Sequence, residues 1–276
     1  MRLMLLTLLV SAGCRDKDNP ATDSGDSEVD ATGKAGAIGA LEFYTLLGDY
    51  WGESARDYGS AWWGLVEPTD YHYWDLVGGV PDQCTTRVGF PRVTLYEVGV
   101  SSTVLFTGAV NLTMPVAEDG FFATNLEAGD YVPDASYDLV PLDGGELDGL
   151  SVSGIARTPG EFTLLTPNLG GAGAISLGPD ELSFTWESTG SDYVMILVQR
   201  RDPDDQSRLV EQVGCVVEDD GAFSIPEESW EGAWDSGQWI YVYVGPITES
   251  DAIVPLNGSD SRLVGISWQQ GAARAR

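Results

Sequence analysis

Residues 182–199 read LSFTWESTGSDYVMILVQ, two runs of strand-forming residues held apart by a turn. Leu182, Phe184 and Trp186 alternate with Ser183, Thr185 and Glu187. That period of two turns one face of a strand toward a core and the other toward water. Thr189-Gly190-Ser191-Asp192 supplies the turn, and residues 193–199 follow as a run of β-branched and apolar side chains that suits a sheet. The same texture spreads outward in both directions. Toward the C-terminus, residues 209–217, 239–244 (WIYVYV) and 262–268 read as strands; toward the N-terminus, so do 92–98, 103–107, 109–114 and 120–124. Alternation in WIYVYV predicts one inward and one outward face, as a sandwich requires. Gly, Ser and Asp punctuate the runs, and none carries a helical period of three to four, so the fold class is all-β.

Thr158-Pro159-Gly160 interrupts this pattern just after Arg157, and we place a domain boundary there. Two β-sandwich-like domains are expected, residues 38–157 and 158–276. The order Leu182-Ser183-Phe184-Thr185-Trp186, turn, Tyr193-Val194-Met195-Ile196 resembles an immunoglobulin-like or fibronectin type III sandwich over residues 163–270. The resemblance implies that Trp186 lies between two packed sheets. It implies no function, because such a sandwich is a scaffold.

The N-terminus carries an address. Arg2 precedes an apolar run of eight residues, 3–10 (LMLLTLLV), too short to cross about 30 Å of hydrocarbon as a helix and therefore read as a targeting segment. Ser11-Ala12-Gly13-Cys14 resembles the lipobox of bacterial lipoproteins, with Ser11 where that pattern usually has Leu. The resemblance implies a signal peptide over 1–13, cleavage before Cys14, a lipid on that cysteine and a membrane as partner. Arg15, standing where an aspartate favours inner-membrane retention, implies the outer membrane of the cell envelope, on its periplasmic or surface side. Residues 14–37 are acidic, polar and free of aromatics, and cannot bury enough apolar surface to offset their ordering entropy, so they are expected to be a flexible tether.

Composition removes several functions. The chain has 276 residues, 43 Asp and Glu against 14 Lys and Arg, and a formal charge of -29. So negative a body is repelled by nucleic acid, and we exclude that partner. Its only lysines, Lys17 and Lys34, lie in the tether, which removes Schiff-base chemistry and the lysine-bearing phosphate loop from the folded part. The one histidine, His72, sits in Tyr71-His72-Tyr73-Trp74 with no Gly-x-Ser-x-Gly partner motif. No catalytic residue is assigned and no enzyme activity is expected.

Three groups of residues remain as candidates. With Cys14 lipidated, Cys84 and Cys215 are an even pair in an oxidising compartment; they either form a disulfide tying the two halves together or stay unpaired. Eight large aromatics crowd residues 50–74, Trp51, Trp62, Trp63 and Trp74 among them. As an exposed platform they would stack on sugar faces; as core plugs they would close the end of a sandwich. Asp202 and Asp204, and Asp219 and Asp220, sit in acidic turns with the hard oxygens that calcium takes, or are simply solvated turns. No other cofactor is expected. The reading is a lipid-anchored, non-enzymatic binding or cell-envelope structural protein, with an envelope protein or polysaccharide as partner. The alternatives are a carbohydrate-binding surface protein and a glycoside hydrolase using paired carboxylates.

Overall fold

A computed structural model of the chain describes residues 36–48, 56–66, 81–87, 103–115, 122–127, 129–142, 151–170, 175–250 and 261–276. The fold is all-β and sandwich-like; among the described residues the only helical pieces are single 3-10 turns at Pro179–Glu181 and Glu227–Ser229. The largest sheet runs, in spatial order, β13 (Leu209–Glu218), β12 (Tyr193–Arg201), β15 (Trp239–Glu249), β16 (Ser261–Ala275), β1 (Gly36–Leu46), β2 (Arg56–Val66) and β6 (Phe122–Leu126). A short strand, β10 (Ile175–Leu177), continues beside the far end of β16. Two smaller sheets are ordered β14 (Ala222–Ser224), β11 (Ser183–Glu187), β9 (Thr163–Thr166), and β5 (Leu112–Pro115), β4 (Thr103–Thr107), β7 (Ser136–Pro141), β8 (Val152–Arg157). A further strand, β3 (Gln83–Arg87), lies against β13.

Both small sheets cover the same face of the large one and create two cores. Leu41, Phe43, Ala61, Trp63 and Leu263 of the large sheet meet Phe106, Met114, Tyr137, Leu139 and Ile155 in the first. Val194, Ile196, Val198, Val213, Ile240, Val242 and Val244 meet Phe184 and Trp186 in the second. The expected divide at Arg157 falls between these cores, yet the large sheet runs across it. β1 pairs in parallel with β16, Ala37 opposite Ser261 through to Leu46 opposite Gln270. A parallel pair leaves no hairpin turn in the sequence, only a long crossover, so this join has no local signal.

The Thr158-Pro159-Gly160 break is where the chain leaves β8 and passes over β16. A Cβ on Gly265 would strike the carbonyl of Arg157, so the crossing needs glycine beneath it. Thr158 is fully buried; its Oγ1 donates to the Val132 carbonyl at 2.6 Å and accepts the Ala135 N–H at 2.9 Å. These bonds satisfy a polar group that would otherwise be costly there.

Strand assignments over 103–107, 182–187, 193–199, 209–217, 239–244 and 262–268 are met by β4, β11, β12, β13, β15 and β16. Residues 92–98 lie outside the described residues. One expectation is corrected. Alternation puts Ile240, Val242 and Val244 in the core as expected, but Tyr241 and Tyr243 on the other face are buried too. The reason is position: β15 is interior to the sheet, and a tyrosine carries a large apolar ring whose hydroxyl can be satisfied under cover. The acidic turn at Asp219 and Asp220 runs on through Gly221. Gly221 takes φ +97°, and the flanking strands β13 and β14 belong to different sheets, so the chain turns a corner there.

Candidate functional site

The face of the large sheet that the small sheets leave uncovered has an unusual chemistry. Register places Glu42 and Tyr44 of β1 beside Ser60 and Tyr58 of β2, and beside Ile266 and Trp268 of β16. Tyr243 of β15 pairs with Gln270 of β16 on the same face. Glu42 is 1% exposed. Its carboxylate accepts the Tyr44 hydroxyl at 3.1 Å, the Trp62 indole N–H at 3.0 Å and, more loosely, that of Trp268 at 3.4 Å. Tyr58 donates to Gln270 Oε1 at 2.5 Å, and the Gln270 amide donates to the Tyr243 hydroxyl at 3.2 Å. Rings stack around these bonds, Tyr44 on Tyr58 with centroids 4.9 Å apart, and Tyr243 edge-on to Trp268 at 6.2 Å.

Burial pushes the Tyr243 phenol far above its ordinary value, so it stays neutral and keeps its proton for hydrogen bonding. Among the described residues, these donors and acceptors bond one another. In a low-dielectric interior such a satisfied network is strong and directional. It spans the parallel β1–β16 seam, a connection that the local sequence does not specify.

The predicted site residues distribute as follows. Cys84 and Cys215 form a disulfide, S–S 2.08 Å, joining β3 to β13 across a sequence separation of 131. Trp62 is 7% exposed and bound to Glu42, and Trp63 is fully buried in the first core. The proposed platform of Trp51, Trp62, Trp63 and Trp74 is therefore corrected for its two middle members, which face the interior on opposite sides of β2. Trp51, Trp74, His72 and Cys14 lie outside the described residues.

The calcium candidates are not brought together. Asp202 and Asp204 precede β13 and Asp219 and Asp220 follow it, roughly 30 Å away along a ten-residue strand. Asp202 accepts the N–H groups of Asp204 and Asp205 at 2.9 and 3.2 Å and pairs with Arg208 at 3.1 Å. Asp219 accepts the Trp186 indole at 2.7 Å and the N–H groups of Thr189 and Ser191 at 2.8 and 3.2 Å. Burial raises its pKa, but these donors prevail and hold it below the usual carboxylate range. Asp220 accepts the Ala222 N–H at 3.3 Å. These oxygens already serve the turns, and no group of three or more His, Cys, Asp or Glu placed to hold a metal occurs among the described residues.

Sequence reasoning missed the Glu42 cluster. Its trace is a lone Glu between Leu41 and Phe43, and paired polar and aromatic residues in Ser267-Trp268-Gln269-Gln270. It missed a buried ion pair as well: Arg200 forks onto Glu211, each side chain 3% exposed, and also donates to the Ala233 carbonyl. Set against known proteins, the chain matches no family model and no curated protein.

Proposed function

We propose that the chain is an exported lipoprotein, held on the envelope membrane through Cys14, whose β body has a non-enzymatic binding or structural role. The observation that carries this reading is the disulfide. Of three cysteines, Cys84 and Cys215 consume one another, which leaves Cys14 as the odd thiol at the end of a lipobox-like tetrapeptide. A buried disulfide fits an oxidising compartment, and a single remaining cysteine fits a lipid acceptor. Placement of Trp186 in the second core supports the immunoglobulin-like reading of residues 163–270 as part of the same proposal.

A structural or binding role fits the chemistry better than catalysis. The buried carboxylates Glu42 and Glu211 are engaged by aromatic donors and by Arg200, in arrangements that hold position. The test is the intact mass of the native protein extracted from bacterial membranes, with a Cys14→Ser variant alongside. Cleavage before Cys14 with an added diacylglyceryl group, and a variant that stays out of detergent, is the expected result. An unlipidated, soluble native product overturns the proposal.

A further inference from the structure

At the opposite end of the Glu42 face, three side chains fall into one row. Arg201 of β12 pairs with Trp239 of β15, and Trp239 with Arg274 of β16. Arg201 is 5% exposed. Its terminal nitrogens donate to Gln199 Oε1 and to the Ser207 carbonyl at 3.1 Å, its guanidinium lies 5.4 Å from the Tyr241 ring centre, and its Nε is buried with no acceptor. Arg274 lies over Trp239, its guanidinium carbon 3.4 Å from the ring centre, and donates to the Gly237 carbonyl at 2.6 Å.

Among the described residues neither arginine has a carboxylate partner. The contrast with the adjacent Arg200 is direct, since on the opposite face it is neutralised by Glu211. A guanidinium offers five N–H donors in a planar fork, and a buried one left without a counter-charge is costly. It is the more notable in a chain with 43 acidic residues, any of which could have supplied that charge. The outer end of the row is accessible: Trp239 and Arg274 are part-exposed.

We propose that Arg201 and Arg274, flanking Trp239, form a binding site for a small oxyanion, a carboxylate or a phosphate group. The field of a body at -29 repels polyanions at long range, which restricts the occupant to a small ligand held by close, charge-assisted hydrogen bonds. Arg201 supplies the buried end of the site through its guanidinium; Arg274, braced by Trp239 and Gly237, supplies the outer end.

The test is calorimetric titration of the full-length protein with sodium glucuronate and with inorganic phosphate, each against chloride at equal ionic strength. Saturable one-site binding of either probe is expected, and the probe that binds names the source of the oxyanion. Arg274→Gln weakens it about 10- to 100-fold, the loss of one hydrogen bond to a charged group, while Arg276→Gln leaves it unchanged. Arg274→Lys keeps the charge without the planar fork and serves if the Gln variant does not fold. Heats indistinguishable from chloride, or equal binding by the Arg274 and Arg276 variants, overturn the site.

Discussion

Replacing Cys84 and Cys215 together by alanine removes the one covalent link between the N-terminal half and the second core. The bridge closes a loop of 131 residues. In the chain-entropy treatment, a loop of that length stabilises by about 5 kcal/mol, and removal of a native disulfide typically costs about 2–5 kcal/mol. The surroundings decide where in that range the value falls. Cys215 is fully buried and packed in the second core, so alanine there also leaves a small void. Among the described residues, the segment holding Cys84 is also tied by the Asp82 N–H to the Val216 carbonyl at 2.9 Å, a bridge between Pro81 and Val216, and the Thr86 hydroxyl on the Ser229 carbonyl. None of these constrains the unfolded chain as the disulfide does. We therefore expect the double variant to lose about 3–5 kcal/mol, a large part of the roughly 5–15 kcal/mol available to a folded domain. Urea unfolding followed by far-ultraviolet circular dichroism and tryptophan fluorescence measures it. A loss below about 1 kcal/mol would refute the argument, since it would mean that the long loop is already constrained in the unfolded chain.

Three further outcomes follow from named contacts. Arg200→Met leaves Glu211 buried without its cation and should cost about 3–5 kcal/mol by the same unfolding assay; a neutral result would refute the dependence of Glu211 on Arg200. Glu42→Gln keeps the shape but turns an acceptor toward a donor, so one indole or hydroxyl loses its partner, and thermal unfolding should register about 1–3 kcal/mol. Asp219 has a folded pKa below its unfolded value near 4, so its ionised form stabilises the fold above about pH 4, and that stability drains away as pH falls through the lower folded value. Asp219→Asn should therefore lower the urea midpoint at pH 7, and the gap to the parent chain should narrow as pH falls below the unfolded value near 4; parallel pH profiles would sink this assignment.

Much of the secondary structure was legible because it is local. Phe184 and Trp186 alternate with exposed or part-exposed neighbours in β11, and the burial follows that alternation. β12 read as a continuous apolar run and is buried on both faces. The candidate site was not legible for the opposite reason. Trp62, Glu42 and Trp268 are far apart in the chain and meet only because β1 lies between β2 and β16. Trp62 and Trp63 could equally have been platform or plug, since an aromatic residue carries no mark of its own exposure. Asp202 and Asp219 looked alike as acidic turns, and only their hydrogen bonds show that each serves its own loop.

The sequence by itself determined the all-β class, the main strands of the second half, the strongly acidic character, and the even pair of cysteines behind a lipobox-like start. Each of these depends on composition or on neighbours within a few residues. Tertiary structure decided that one sheet runs through both halves, that Cys84 meets Cys215, and that Glu42, three indoles (Trp62, Trp239 and Trp268) and two guanidiniums (Arg201 and Arg274) share its second face. The physical reason is that parallel pairing and side-chain networks join residues 131 or more positions apart, as with Cys84 and Cys215 or Glu42 and Trp268. Contacts at that range are set by which faces pack together, which no local period encodes.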